Sequence, residues 1–294
     1  MSFISYLING ISLGSVYAII ALGYTMVYGI AKMLNFAHGD VIMFGSYAVF
    51  TIVSTLSLPT WLGMLVSIIL CTILGITIEA VAYRPLRQAS SSLAVLITAI
   101  GVSYLLQNVA LLIFGANTKS FSSVVSMAPL KLADGGLTIT GETIVTISCC
   151  IVIMIVLTLF VNKTKAGQAM LAVSEDKGAA QLMGINVNGT ISLTFAIGSA
   201  LAAVAGMLLC SAYPALTPYT GSMPGIKAFV AAVFGGIGSI PGAFIGGIIL
   251  GIIEIFSKAY ISSQLSDAIV FLVLIIVLLV KPTGILGKKI QEKV

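Results

Sequence analysis

The sequence predicts an all-α polytopic membrane protein with eight to nine membrane segments, some of them broken or re-entrant. Composition is the first reason: 59% of the residues are hydrophobic and 8% are charged, whereas soluble domains carry about 25% charged residues. Several apolar runs also reach the about 20 residues that one helical crossing requires. Strand-like alternation of polar and apolar residues is not visible, so the backbone groups are expected to be satisfied inside helices.

The predicted segments follow the apolar runs of the chain. They cover roughly residues 5–31, 41–57, 60–82, 92–115, 142–161, 190–213, 225–237, 241–258 and 265–281. The Gly-rich stretch GGIGSIPG, residues 235–242, interrupts 225–258, which is therefore either a re-entrant hairpin or two short crossings. No change in composition marks a second, soluble domain. Residues 1–294 are therefore predicted to form a single transmembrane domain.

Positive charges give the predicted orientation. If the chain crosses the bilayer at each segment, 10 of its 14 lysines and arginines fall on one side. Basic residues of short loops concentrate on the cytoplasmic side. We therefore expect a multi-pass membrane protein with its N-terminus outside and its C-terminus in the cytoplasm. The largest outer loop is then 116–141, and the largest inner loop is 162–189.

The sequence lacks the motifs of a self-sufficient enzyme. It contains no GxxxxGK[ST] phosphate loop, no HExxH pair and a single histidine, so no Ser-His-Asp arrangement is supported. We expect no catalytic residues, metal site or cofactor in this chain. The basic residues lie in short loops between spans, so the bilayer is an expected partner and nucleic acid is not. The cysteines lie in apolar runs and are expected to act as small hydrophobic residues: Cys71, Cys149, Cys150 and Cys210.

The stretch KMLNFAHGDVIMFGSY, residues 32–47, brings polar groups into a very apolar chain. One interpretation is an inner loop with Asn35, His38 and Asp40 in water. The other is a broken helix, in which Gly39 releases the backbone, Asn35 and His38 satisfy freed amides, and half-helix ends face a cavity. Such ends would suit the ammonium or carboxylate of a zwitterion. In this second interpretation, all four residues lie on a translocation pathway.

Glu254 is a further candidate for that pathway, because an acid inside an apolar segment is a functional candidate by default. Small residues recur at intervals of four in two segments, a spacing that permits close helix packing. Packing within the chain is favoured over a dimer face. The residues concerned are Gly198, Ala202 and Gly206, then Gly242, Gly246, Gly247 and Gly251.

The inner loop 162–189 contains a predicted short helix with six notable positions: Ser174, Glu175, Asp176, Ala179, Ala180 and Gly184. The serine is expected to cap the N-terminus, and the two acids to lie in the first turn, where the helix dipole favours negative charge. The two alanines continue the helix, and the glycine is placed to end it. A solvated connector would show the same capping pattern, so this alternative stays open.

Three stretches carry a resemblance to a known family. They are GYTMVYGIAKMLNFAHGDVIMFGSY, AVSEDKGAAQLMGINV and KAFVAAVFGGIGSIPGAFIGGIILGIIE, which begin at residues 23, 172 and 227. In this order they resemble the permease subunits of branched-chain (hydrophobic) amino acid ABC importers. The second stretch resembles the coupling-helix motif of such permeases, often written EAA…G. Its acids stand three and four residues before Ala179, whereas the motif has the acid directly adjacent.

The resemblance implies the translocation subunit of an ABC importer that works by alternating access. ATP and magnesium would be bound by two partner ABC ATPase subunits, on which the short helix of the inner loop would dock through its six notable residues. A second homologous permease and an external substrate-binding protein would complete the transporter. Two other functions stay open: a urea or short-amide permease of the same family, and a secondary amino acid carrier that uses Asp40, Glu79 or Glu254 for ion coupling.

Overall fold

The computed structural model describes residues 3–88, 92–121, 123–125, 127–132 and 137–287. Helices make up most of this part of the chain. In order they are α1 (Phe3–Ala31), α2 (His38–Phe50), α3 (Thr60–Ile78), α4 (Ser92–Phe114), α5 (Gly141–Lys163), α6 (Lys165–Glu175), α7 (Lys177–Leu182), α8 (Val187–Ala212), α9 (Ser222–Gly235), α10 (Ile240–Tyr260) and α11 (Ser266–Val280). Two π-helical turns, Thr51–Thr55 and Glu79–Tyr83, extend α2 and α3, and a 3₁₀ turn, Arg84–Gln88, follows the second.

Six helices of the described chain are long and apolar enough to cross a membrane, namely α1, α3 with its continuation to Arg87, α4, α5, α8 and α10. The predicted helical, polytopic membrane fold is therefore confirmed. The total of eight to nine segments stays a prediction, because α2 with its π-helical turn, α9 and α11 have 18, 14 and 15 residues. At about 1.5 Å per residue, these three are shorter than the about 30 Å of a hydrocarbon core.

Short strands organise part of the predicted outer loop. Strand β1 (Lys119–Ser120) pairs antiparallel with β4 (Ala215–Leu216), and β2 (Leu130–Leu132) pairs antiparallel with β3 (Leu137–Ile139). The first pair ties this loop to the segment that follows α8. These strands lie at the end of the bundle opposite to α6 and α7.

Helix α1 lies at the centre of the bundle, packed against α5, α8, α9 and α10. Its residues Ala18–Leu22 have no exposed surface, as expected for a helix that is apolar on all sides. Outer helices carry the opposite pattern. Leu112 of α4 and Leu279 of α11 are 87% and 80% exposed, which suits a surface that faces lipid.

Two groups of three helices have the same order of long, short and long helix and run through the bundle in opposite directions. Long α1 is followed by a break, the short helix α2 and the long helix α3; long α8 is followed by a break, short α9 and long α10. Both short helices begin beside Tyr24, inside the bundle. The His38 ring lies 4.6 Å from the Tyr24 ring, and a Cβ added at Gly225 would lie 3.6 Å from the Tyr24 hydroxyl. From there α2 and α9 run towards opposite ends.

The Gly-rich break at 235–242 joins two helices of different length. Helix α9 starts inside the bundle and ends at Gly235, after which a turn containing Gly236 and Gly238, both with positive φ, leads into α10. With 21 residues, α10 has a length of about 31 Å, enough for a full crossing. The segment therefore consists of a short helix, α9, joined by a tight turn to α10, which is long enough to cross a membrane.

The glycines at four-residue spacing lie at helix contacts within the chain. Gly198 lies against Gly23 of α1, and Gly206 against Ile42 of α2, with Ala202 fully buried between them. On α10 the contacts go to two neighbours. Gly242 and Gly246 face α9, whereas Gly247 and Gly251 face α1.

Candidate functional site

The polar stretch after α1 forms a break that is buried in the protein. Helix α1 ends at Ala31, and Lys32 adopts the left-handed conformation with φ +58°. Asn35, His38 and Asp40 are 4%, 1% and 2% exposed. This burial contradicts the interpretation in which these side chains lie in water. The arrangement is a broken helix, with α2 restarting inside the bundle.

The break lies at residues 32–37, not at Gly39. Gly39 belongs to α2, and an added Cβ there would lie 2.6 Å from the Gly221 carbonyl oxygen. The predicted role of Gly39 in releasing the backbone is therefore wrong: the left-handed Lys32 ends α1, and Gly39 allows the start of α9 to approach α2. This contact depends on tertiary structure and leaves no local signal in the sequence.

Asn35 and His38 do not satisfy freed amides, contrary to expectation. The Asn35 Oδ1 atom accepts a hydrogen bond of 3.0 Å from the Tyr83 hydroxyl, which ties the break to the end of α3. The His38 ring packs edge-on against Tyr24, and its Nε2 atom has no hydrogen-bond partner in the described chain. His38 is therefore held by ring packing against Tyr24 and by a hydrogen bond to the backbone of Ile20.

A cavity of about 250 Å³ opens where α2 and α9 begin. The Asp40 carboxylate lies at this cavity and accepts a 2.9 Å hydrogen bond from the Gln107 amide of α4. The two residues are 67 positions apart, so no local pattern in the sequence relates them. The cavity has a mixed lining: Tyr24, Phe36, Gly39, Asp40, Ile100, Ser103, Tyr104, Gln107, Ser222 and Ile226.

Glu254 lies in a different polar cluster, among α1, α9, α10 and α11. Its carboxylate accepts hydrogen bonds from the Tyr17 hydroxyl at 2.8 Å and from Lys227 and Lys258 at 2.8 and 2.6 Å. Lys227 also pairs with Asp267 at 2.7 Å. Glu254 is therefore compensated by two cations and does not share the cavity of Asp40. Lys227, a lysine inside an apolar segment, was the signal in the sequence for this cluster.

Glu79 is the centre of a third cluster, at the end where α3 meets α8. It is fully buried and pairs with Arg84 at 3.0 Å and with Arg87. The Ser192 hydroxyl of α8 donates a 2.6 Å hydrogen bond to the same carboxylate, and Arg87 also bonds Asn188. The network therefore joins α3 to the first turns of α8, directly after the inner loop.

The inner loop forms two helices instead of the single helix predicted at 174–185. Ser174 lies in the last turn of α6, where its hydroxyl donates to the Leu171 carbonyl at 2.7 Å, and Glu175 ends that helix. The prediction of Ser174 as an N-cap is therefore wrong. Asp176 caps α7 instead, accepting hydrogen bonds from the amides of Gly178 and Ala179 at 2.8 and 3.0 Å.

The C-terminal end of α7 has the predicted form. Gly184 has φ +82°, the left-handed conformation that glycine adopts after a helix. Of the two alanines, Ala180 is buried and Ala179 is exposed. The neighbouring apolar side chains of Leu182 and Met183 are 90% and 82% exposed. This loop therefore presents apolar surface beyond the membrane-spanning helices.

Helix α7 also contacts the break. The Lys177 ammonium donates a 3.0 Å hydrogen bond to the carbonyl of Ala31, the last residue of α1. Partial burial lowers the pKa of Lys177, and the nearby charges of Arg87 and Lys32 lower that pKa further. The inner loop is thus bonded to the point at which α1 gives way to the break.

Comparisons with known proteins agree over nearly the whole chain. The family described as branched-chain amino acid transport system / permease component matches residues 6–278. The chain is 47% identical over 305 residues to the high-affinity branched-chain amino acid transport system permease protein LivH of Escherichia coli (strain K12), covering 99% of this chain and 98% of LivH. It is 44% identical over 305 residues to the corresponding protein BraD of Pseudomonas aeruginosa, with the same coverage.

A solved structure shares the fold. A chain of PsaBC from Streptococcus pneumoniae, solved in complex with Fab, superposes with a TM-score of 0.51 at 16% identity, covering 95% of this chain and 92% of that chain. At this identity the likeness concerns the fold alone. The family match, in contrast, rests on sequence along the full bundle, including the broken helix and the inner loop. The chain therefore belongs to the family of permease components of branched-chain amino acid transport systems.

Proposed function

We propose that this chain is the membrane-spanning translocation subunit of an ABC importer for branched-chain amino acids. The observation that carries the proposal is the likeness to LivH and BraD, at 47% and 44% identity over 99% of the chain. The six long apolar helices of the described chain support a membrane-spanning role. The chain itself is proposed to perform no chemistry and to bind no cofactor.

The partners follow from the proposed function. Two ABC ATPase subunits bind ATP and magnesium, and the segment 174–184 docks on them. The exposed Leu182 and Met183 support this docking, because apolar side chains outside the membrane are stabilised by burial in a partner. A second homologous permease completes the membrane unit, and an external substrate-binding protein delivers the amino acid to the end that carries the strand pairs.

The translocation pathway is proposed to involve Asn35, His38, Gly39, Asp40 and Glu254, and to open to each side in turn. The broken α1–α2 segment supports this proposal, because transporters place discontinuous helices at their substrate sites. The Lys177 bond to Ala31 supports a route by which movement of the docked loop reaches the break. The orientation proposed has the N-terminus outside and α7 in the cytoplasm, within a bacterial-type inner membrane.

A pull-down from the native cell tests the proposal. The chain is given a C-terminal tag, purified in mild detergent and analysed by mass spectrometry, and the complex is then reconstituted in vesicles. We expect two ATPase subunits and a second permease to co-purify, and ATP-dependent uptake of leucine, isoleucine or valine. If the vesicles take up only urea or short amides with ATP, the proposed substrate is wrong and the chain is an importer subunit for those compounds. A chain that purifies alone and carries amino acids without ATP would overturn the importer.

A further inference from the structure

The cavity between α2, α4 and α9 combines two kinds of surface. Apolar and aromatic side chains, among them Phe36, Ile100 and Ile226, form one part of its lining, and Asp40, Gln107 and Ser222 contribute polar groups. A second cavity, of about 360 Å³, lies near the outer loop and is lined by apolar side chains such as Met64, Val145 and Met207, without any ionisable side chain. The two cavities therefore offer different chemistry to a small ligand.

Asp40 is the distinctive group of the mixed cavity. It is 2% exposed and lies in the first turn of α2, where the helix dipole favours the carboxylate form. Its side-chain partners, the amide of Gln107 and the hydroxyl of Ser103, are both neutral. Within the described ranges no lysine or arginine forms an ion pair with Asp40, whereas Glu79 and Glu254 each pair with two.

This difference points to a missing cation. A buried carboxylate is unfavourable unless it is paired with a positive charge and hydrogen-bonded. Asp40 has hydrogen bonds from Gln107 and Ser103 but no cation among the described residues. Because the carboxylate faces a cavity instead of packed side chains, a ligand ammonium could complete the pair there.

The position in the fold supports the same conclusion. Transporters built from oppositely oriented halves bind their substrates near the middle of the membrane, where discontinuous helices of the two halves meet. Here α2 and α9 are the two short helices of such halves, and their first turns touch at Gly39 and Gly221. The mixed cavity lies directly beside this contact.

We propose that the cavity is an intramembrane subsite for a hydrophobic amino acid, with Asp40 accepting its α-ammonium group. Gln107 holds the carboxylate of Asp40 in place, and the hydroxyl of Ser222 is available to the carboxylate of the ligand. Phe36, Ile100 and Ile226 surround its aliphatic side chain. This inference rests on the proposed function and adds a binding site inside this chain.

Photo-crosslinking tests the position of the subsite. The whole complex in lipid nanodiscs, without its binding protein, is irradiated with photo-leucine, a diazirine analogue of leucine, and the labelled peptides are mapped. We expect label on peptides that contain Phe36, Ile100 or Ile226, reduced by excess leucine or isoamylamine but not by isovalerate, which lacks the ammonium group. Label confined to the cavity of Met64 and Met207, or no competable label, would overturn the subsite.

Variants test the role of Asp40. Asp40→Asn keeps the size of the side chain and an acceptor for Gln107 but removes the charge, so we expect labelling and leucine uptake to fall about tenfold or more. Thr25→Val, which removes a buried hydroxyl outside the cavity lining, serves as the control and should leave labelling unchanged. Unchanged labelling in Asp40→Asn would show that the ammonium is held elsewhere.

A second substitution keeps the proposal testable if Asp40→Asn does not fold. Ile226→Phe fills the cavity without altering a charge and is expected to abolish labelling in a complex that still assembles; full labelling in this variant would exclude the cavity as the site. Leucine uptake by the unmodified complex distinguishes a failure of the subsite from a failure of the proposed function. Uptake without label in the cavity defeats the subsite alone, whereas absence of leucine uptake defeats the proposed function and the subsite together.

Discussion

Three buried acids of this chain are compensated in different ways. Glu79 pairs with two arginines near the inner loop, and Glu254 pairs with two lysines nearer the opposite end. In the described chain, Asp40 has only neutral side-chain partners, Gln107 and Ser103, and it lies at a cavity. The first two arrangements join helices, because each carboxylate bonds side chains of a neighbouring helix. The third leaves room for a ligand.

At the residue scale, the first prediction concerns Lys177. Its ammonium joins α7 to the last carbonyl of α1, so Lys177→Met should remove that bond while keeping most of the aliphatic stem. One hydrogen bond contributes about 0.5–1.5 kcal/mol, so we expect near-normal assembly and thermal stability. Transport should suffer instead: the number of leucine molecules imported per ATP hydrolysed should fall several-fold in reconstituted vesicles.

Two further variants qualify the Lys177 prediction. Lys177→Arg retains a donor and should recover part of the coupling. Lys165→Met removes an exposed lysine at the start of α6 and should behave like the unmodified protein. An unchanged ratio of transport to ATP hydrolysis in Lys177→Met would mean that the bond to Ala31 only caps the helix.

At the scale of elements, the close contact of α2 and α9 depends on glycine. A Cβ at Gly39 would lie 2.6 Å from the Gly221 carbonyl oxygen, and a Cβ at Gly225 would lie 2.9 Å from the Gly39 Cα atom. Backbone atoms cannot rotate away as a flexible side chain can. The two half-length helices therefore meet only because no side chains stand between their first turns.

Gly39→Ala should destabilise the protein by about 1–3 kcal/mol, the usual effect of overpacking, and should impair transport. Gly101→Ala on α4 is the matched control. An added Cβ at Gly101 has no neighbour within 4 Å, and alanine favours a helix over glycine by about 1 kcal/mol. Thermal unfolding in detergent compares the two, and equal melting temperatures would contradict the close contact of α2 and α9.

Gly184 gives a second prediction at this scale, since its backbone is left-handed although the surrounding space is open. Asparagine adopts this conformation readily, whereas for other residues it is unfavourable by roughly 1–2 kcal/mol. Gly184→Asn should therefore retain the ATPase subunits in a pull-down, and Gly184→Val should lose most of them. Equal retention by both variants would show that the exit of the chain from α7 does not matter for docking.

At the scale of the whole molecule, two sets of exposed apolar side chains differ in their surroundings. On α4 and α11 they belong to long apolar helices and suit lipid, whereas on α7 they lie on a short helix between Lys177 and Gly184, next to charged and polar residues. Under the proposed function the ATPase subunits cover this second surface, because burying one leucine contributes about 1.5–3 kcal/mol.

Leu182→Asp tests this surface. We expect the variant to insert in the membrane normally and to lose the co-purifying ATPase subunits, with a reduction in affinity of about tenfold or more. The neighbouring exposed residue provides a control for charge, because Gln181→Glu adds a negative charge without removing apolar surface. Retention of the ATPase subunits by Leu182→Asp would place the docking surface elsewhere on the chain.

The sequence by itself determined the membrane class, the helical fold and the end of α7 at Gly184. These features depend on hydrophobicity, on the length of apolar runs and on the conformational freedom of single glycines, which are local properties. The family resemblance was also visible in three stretches of the sequence and is confirmed by the family match. Polar residues in the stretch 32–47 marked the position of the broken helix, although not its boundaries.

The tertiary structure alone decided how distant residues meet. Asp40 and Gln107 are 67 positions apart and Lys177 and Ala31 are 146 apart, so no local pattern relates either pair. Competing local possibilities were also decided by packing. Asp176 rather than Ser174 caps α7, because the chain bends after Glu175, and the break falls at 32–37, because Gly39 is needed inside α2 to admit the start of α9.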